Sequence, residues 1–311
     1  MSVASSRLAR GTAVLAGAAL LAGLGVSTPA FAAPGTTPKP TVTAAPDRRE
    51  TTTEHRNACA VRTLITTTFA DPDSTSSQGL AARLVSPSAV AHGAGTTAGP
   101  TGLLAQFTAD RARIPGAHAV IKRIAADGDL VAVHWQITPD PRDERRGDAA
   151  VDLFRLEHGR IVERWSLEQP VPTGTPSSGN TNTMFSDLYR PARPTAAPSE
   201  HQEERNRVLA VSAYDTLFRD HDPSILDRAF DPAYLQHNPV APNGTAALKQ
   251  LFGSGAQFPA QQSVISLSDG DIVWTFSQAV GAKPGDPLLA ADLFRVDDGL
   301  IREHWDVVPR S

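Results

Sequence analysis

Hydrophobic and polar positions follow two periods in the last hundred residues of this chain, helical first and alternating afterwards. In EERNRVLAVSAYDTLFRD, Val208, Val211, Tyr214, Leu217 and Phe218 recur at helical spacing and predict an amphipathic helix. A short second helix is expected over Pro223 to Phe230, with Asp222 as N-cap and Pro223 in the first turn. Asn243-Gly244-Thr245 stops an extended segment, and Thr245 is positioned to cap a third helix through Phe252. Beyond Pro259 the period falls to two. Val264 to Val280 reads as a hairpin turning at Asp269-Gly270, and Leu288 to Val308 as a second around Asp297-Asp298-Gly299. Helices grouped ahead of a curved antiparallel sheet define an α+β domain.

The register of the last hairpin decides which side chains meet, because a one-residue slip moves them all to the other face. A two-residue Asp-Gly turn sets Asp292 opposite Trp305. A three-residue loop ending in a left-handed Gly299 sets Asp292 opposite His304, with Asp306 two residues along on the same face. The second is preferred, since it gathers the ionisable groups together and leaves Leu293, Ile301 and Trp305 as an apolar stripe needing burial of its own.

The chain also repeats. Pro87, His92, Gly99, Leu103 and Phe107 recur at constant offset as Pro232, His237, Gly244, Leu248 and Phe252. VDLFRLEHGRIVERW, Val151 to Trp165, returns as ADLFRVDDGLIREHW, Ala291 to Trp305. Two copies of one domain follow, at residues 54–190, tail included, and 203–311, joined by a Pro-rich linker at 191–202. Sheet-to-sheet packing through Trp165 and Trp305 would make the pair an intramolecular pseudo-dimer.

Residues 1–32 carry Arg7 and Arg10, an apolar run from Thr12 to Val26 and an Ala30-Phe31-Ala32 cleavage pattern, the marks of a secretory signal peptide. Secretion is therefore expected, with no membrane anchor after cleavage. Residues 33–53, rich in Pro, Thr and Ala, read as a disordered tether. Cleavage removes two positive charges and moves the formal net charge from −4 to −6, and with no basic stripe the chain offers nothing to nucleic acid. Cys59 is the sole cysteine, so no intramolecular disulfide forms; a buried, inert thiol is expected.

AYLQHNPVAPNGTAALKQLF, from Ala233 to Phe252, followed by DGDIVW and ADLFRVDDGLIREHWDV, resembles the SnoaL-like branch of the nuclear transport factor 2-like superfamily. The first copy resembles it more weakly. The resemblance implies two tandem cones, each a curved antiparallel sheet on about three helices, with a pocket for a small molecule between sheet and helices. It also implies acid/base chemistry of the aldol cyclase, isomerase or dehydratase type with no cofactor. Asp306 would then be the acid/base group, tuned by His304 and Asp292, with His237, Phe294, Phe276 and Tyr234 binding substrate. In the first copy His92, His134 and Asp152 are the pocket candidates, but Arg164 and Ser166 replace the His and the Asp of the second copy, so its site is degenerate. No metal is expected, because compact ligand spacings are absent. Two classes remain, an enzyme working from the second copy and a non-catalytic secreted binding or scaffold protein.

Overall fold

The computed structural model describes residues 51–93, 97–192, 196–253, 259–283 and 285–309, so the expected signal peptide and nearly all of the expected tether lie outside the described residues. In the first half, α1 (Thr52–Ala70), α2 (Thr75–Leu84), β1 (Val85–His92) and α3 (Gly99–Arg113) precede β2 (His118–Asp127), β3 (Leu130–Thr138), β4 (Asp148–Glu157) and β5 (Arg160–Pro170). The second half repeats the order. It runs α4 (Glu200–Phe218), a 3-10 turn at Pro223–Ile225 leading into α5 (Leu226–Ala229), β6 (Phe230–Gln236) and α6 (Thr245–Gly253). Then come β7 (Gln261–Asp269), β8 (Ile272–Ala279), β9 (Ala290–Asp297) and β10 (Leu300–Val307). The fold class is α+β, two tandem cones of five strands each, ordered β1-β5-β4-β3-β2 and β6-β10-β9-β8-β7.

Each sheet is antiparallel except at one edge, where β1 runs parallel to β5 and β6 to β10. Local chemistry sets the helix ends. Thr51 and Glu54 form a reciprocal capping box on α1, Ser199 caps α4 by accepting from the Gln202 amide, and the Asp222 carboxylate accepts from Ser224. Helix α1 thus begins inside the expected tether and α4 inside the expected linker. The buried positions of α4 are Asn206, Ala210, Ala213, Tyr214 and Leu217, whereas Val208 is 59 % exposed, so the buried stripe is rotated from the one expected. Cys59 is exposed, a correction with a simple geometric cause: Asn57, Val61, Leu64, Ile65 and Thr68 form the buried face of α1, and Cys59 projects from the other side.

Three cores hold the described residues. Phe69, Phe107, Trp135 and Phe154 pack between helices and sheet in the first half, and Tyr214, Phe230, Tyr234 and Phe294 do so in the second. A third core is built by both halves: Trp165, Leu167, Met184 and Phe185 meet Trp274, Phe276, Leu293 and Trp305 on the outer faces of the two sheets. Two reciprocal hydrogen bonds flank it, Ala126 N to Asp269 Oδ2 at 3.0 Å and Ser268 N to Asp127 Oδ2 at 3.1 Å. The segment after β5 continues onto the second half, with Asn180 donating to the Gln236, Asn238 and Ala241 carbonyls.

The last hairpin differs from both registers considered. Asp298 and Gly299 form a two-residue turn with φ of 51° and 71°, and the register then shifts between Ile301 and Glu303. The shift is a β-bulge at Arg302, which sets Asp306 directly opposite Asp292, Trp305 opposite Leu293 and His304 opposite Phe294. Asp292, His304 and Asp306 still share a face. Ile301 does not join Trp305; the bulge turns it inward, where it packs with Val296 in the second-half core.

Candidate functional site

Strands β9 and β10 bring Asp292, His304 and Asp306 together on the inner face of the second sheet, each 4–7 % exposed. Burial pushes the Asp292 carboxyl up to about 8. It also raises Asp306, to about 6, with the neighbouring Asp292 acting in the same direction and His304 and a hydrogen bond from Asn238 against it. The same desolvation lowers His304 to about 4, so its imidazole is neutral.

The hydrogen bonds fix where the protons sit. Gln236 Oε1 accepts from the Asn238 amide at 2.8 Å, so it is also the acceptor for His304 Nδ1 at 3.0 Å. A neutral His304 protonated at Nδ1 leaves Nε2 bare. Its partner at 3.0 Å, Asp292 Oδ1, must then carry the proton between them. Asn238 is oriented likewise: its Oδ1 accepts from Val240 N at 2.7 Å, so its amide nitrogen donates to Asp306 Oδ2. Asp292 Oδ2 and Asp306 Oδ1 have no hydrogen-bond partner among the described residues. The group is therefore a neutral Asp-His pair beside a carboxylate with one oxygen uncommitted.

Of the expected binding residues, Phe294 stacks on His304 with ring centres 4.7 Å apart and Tyr234 lies 6.2 Å from it, its hydroxyl accepting from Gln236 Nε2. Phe276 and His237 are corrections. Phe276 projects into the core shared by the halves, because strand alternation in β8 puts Thr275, the cross-strand partner of Asp292, on the inner face. His237 lies on the outer face, stacked 5.0 Å from Trp305. Its Nε2 is hydrogen-bonded to Glu303 at 2.8 Å and its Nδ1 to the Thr183 carbonyl. The residues beside it, Gln236 and Asn238, are the ones that reach the site. The signal for them was the alternation itself, which places positions 236 and 238 on the face opposite 237.

The first half repeats this division. His92 stacks on Trp165 at 5.0 Å and bonds Glu163 at 2.9 Å, on the outer side; His134 is buried under Phe185 beside Arg123, also outside the cone. Asp152 does face inward, but Trp135 Nε1 at 2.8 Å and the Arg164 guanidinium at 2.7 Å occupy its two oxygens. A cavity of about 630 Å³ opens next to this pair, between α3 and β5, with Gln106, Arg113, Ser166 and Glu168 on its polar side and Leu288 and Leu289 of the other half across from them. His92 lines its rim. Burial and the neighbouring Asp110 push Glu168 up to about 7, against the pull of Arg113. Sequence reading passed over Glu168; its spacing of two from Ser166, along one strand face, was the available signal.

Among the described residues, Asp292, His304 and Asp306 are the group whose donor atoms could converge on a metal, all within 4.8 Å of one another. The fit is poor: His304 spends both nitrogens on Gln236 and Asp292, so ligation would break a hydrogen bond. Among the described residues no helix is long and apolar enough to cross a membrane.

Residues 51–164 match the family model for the SnoaL-like domain, so the first half is a SnoaL-like domain, and the second half repeats its topology strand for strand. Both halves are α+β cones, each a five-stranded sheet on helices. The match falls on the first half, although the motif resemblance is nearer in the second. Among solved structures, similarity extends to wild-type IdmH from Streptomyces antibioticus, a candidate polyketide cyclase, at 24 % identity over 37 % of this chain and 93 % of that one, TM-score 0.30. A candidate SnoaL-like polyketide cyclase from Jannaschia sp. CCS1 matches at 17 % identity over 39 % of this chain and 91 % of that one, TM-score 0.33. A candidate isomerase of the SnoaL-like family from Agrobacterium tumefaciens str. C58 matches at 16 % identity over 36 % and 97 %, TM-score 0.31. No curated protein matches the chain.

Proposed function

We propose that the second half is an acid/base enzyme of aldol cyclase, isomerase or dehydratase type, working on a small carbonyl compound with its own side chains. The observation that carries this reading is the pair of opposed, buried carboxyl groups, Asp306 titrating near 6 and Asp292 near 8, each with one oxygen uncommitted. At neutral pH the Asp292-His304 pair is uncharged, which leaves Asp306 as the group that gains and loses charge. Its Oδ1 would take a proton from the carbon beside the carbonyl, the C–H electrons forming the enolate, and return that proton to the product. Phe294 and Tyr234 supply apolar walls. The first half, with Arg164 locked on Asp152, lacks an equivalent free carboxylate and serves as structural partner. The shared core and reciprocal backbone bonds support reading the chain as an intramolecular pseudo-dimer. The charged start, apolar run and small-residue cleavage pattern of residues 1–32 support export.

The test is deuterium exchange, followed by NMR, at carbons beside the carbonyl in a panel of small ketones and β-keto esters. It is run alongside a mass-spectrometric search for a co-purified ligand. Exchange or turnover by the wild type that is lost in Asp306→Asn supports the proposal. A bound ligand that neither protein changes would give the binding-protein reading.

A further inference from the structure

The second-half site is not made by the second half alone. The chain leaving β5 crosses to the other half and runs along the turn that follows β6. There Asn180, 6 % exposed, points one side-chain amide at three carbonyls: Gln236 at 2.8 Å, Ala241 at 2.8 Å and Asn238 at 3.2 Å. Its own orientation is set, because Oδ1 accepts from the Asn182 amide at 2.9 Å. Two neighbours reinforce the grip. Ser178 donates to the Pro239 carbonyl at 2.8 Å, and Asn182 donates to the Gln236 carbonyl at 2.9 Å and to the Asn243 side chain at 2.9 Å. Within the segment held this way sit Gln236, which fixes the His304 tautomer, and Asn238, whose amide donates to Asp306 Oδ2.

We propose that Asn180, supplied by the first half, is a positioning residue for the second-half site, holding the 236–241 turn so that Asn238 keeps its hydrogen bond to Asp306. Three backbone acceptors brought to one donor tie the turn together from outside, since the amide can serve them only while they stay convergent. Removing the amide takes from the buried Ala241 carbonyl its side-chain donor and leaves the Gln236 and Asn238 carbonyls with one donor fewer, and the turn relaxes to find water or other partners. Asn238 then swings from Asp306, and the carboxylate loses a donor that favours its charged form. The other titratable groups facing Asp306 are Asp292 on β9, His304 on β10, Tyr234 on β6 and Tyr214 on α4. Asn180 is hydrogen-bonded to the turn itself, so a change there reaches Asp306 directly through Asn238 and indirectly through Gln236 and His304.

The inference rests on the acid/base reading for its importance, but its test does not need a substrate. In full-length protein carrying 13C-labelled aspartate, the Asp306 carboxyl is assigned from its loss in Asp306→Asn and titrated by NMR. In Asn180→Ala its midpoint is expected to rise by about half a pH unit or more, the size expected for losing one hydrogen bond to a carboxylate. Tyr189→Phe, which releases only the far end of the same segment from Asp297, is expected to leave it in place. If Asn180→Ala does not fold, Asn180→Ser, whose hydroxyl can serve only one carbonyl, is read the same way. An unmoved Asp306 titration in the folded variant overturns the proposal, and so does an equal shift in Tyr189→Phe, which would mean general loosening. A moved titration in a protein that turns over no carbonyl compound would leave this inference standing while the enzymatic reading falls.

Discussion

The His237 imidazole lies 5.0 Å from the Trp305 indole and within 17° of parallel to it, and His92 meets Trp165 at the same distance and within 10°. In both copies the stacked histidine also bonds the glutamate two residues before the tryptophan, at 2.8 Å to Glu303 and 2.9 Å to Glu163. The repeated histidine is thus a clamp between the edge strand and the sheet, made twice.

Breaking that clamp should cost stability before chemistry. His237→Ala leaves Glu303, which is fully buried, short of a charge-assisted partner, and is expected to destabilise by about 3 kcal/mol or more. Urea denaturation of the purified protein measures this. His92→Ala, at a partly exposed pair, should cost no more than about 1 kcal/mol.

Asp306→Asn should retain the fold and ligand binding while lowering turnover by about a hundredfold or more, the usual effect of deleting a general acid/base group. His304→Ala should act in the same direction. Ser166→Asp should add nothing to the first half, because Arg164 stands where His304 stands and already holds Asp152. Steady-state rates of the three variants against wild type decide it.

Activity should rise with pH through about 6 as Asp306 ionises and fall through about 8 as Asp292 does, the two limbs belonging to the coupled pair. Stability should move oppositely over part of that range. A carboxyl whose folded value is raised keeps its proton in the native state after the unfolded chain has lost it, so Asp292 makes stability fall as pH climbs from about 4 towards 8. The slope is roughly 1.4 kcal/mol per pH unit for each such group. His304, buried neutral with its value lowered to about 4, contributes stability that is lost as pH drops below its ordinary 6.5. Between pH 6.5 and 8 only the carboxyl effect remains. Denaturation midpoints should decline over that interval, and Asp292→Asn should remove most of the decline.

Arg164→Ala should strand the fully buried Asp152 and destabilise the first half by about 3–5 kcal/mol, whereas Arg164→Met with Asp152→Leu should recover much of the loss. Thermal unfolding of the single and double variants makes the comparison.

Much of this was readable in the sequence because turn chemistry and repetition are local signals. The Asp-Gly turns, the Asp222 and Thr245 helix starts and the doubled architecture follow from residues within a few positions of one another. The union of Asp292, His304 and Asp306 was also visible, since they share strand parity. The bulge at Arg302 was not, because it depends on how β10 bends between β6 and β9, and it moved Ile301 to the inner face. His237 looked chemical for its residue type, when alternation along β6 hands the site to Gln236 and Asn238. Asn180 carried no signal at all, since its role exists only once a segment distant in sequence lies against the turn.

The core built from both outer sheet faces has a consequence for how the molecule comes apart. Trp165 and Trp305 each lose their cover if the opposite half unfolds, so neither half has a route to melting that leaves the other intact. Calorimetry should record one endotherm in which the van't Hoff and calorimetric enthalpies agree, where a pair of independent beads on a linker would give two.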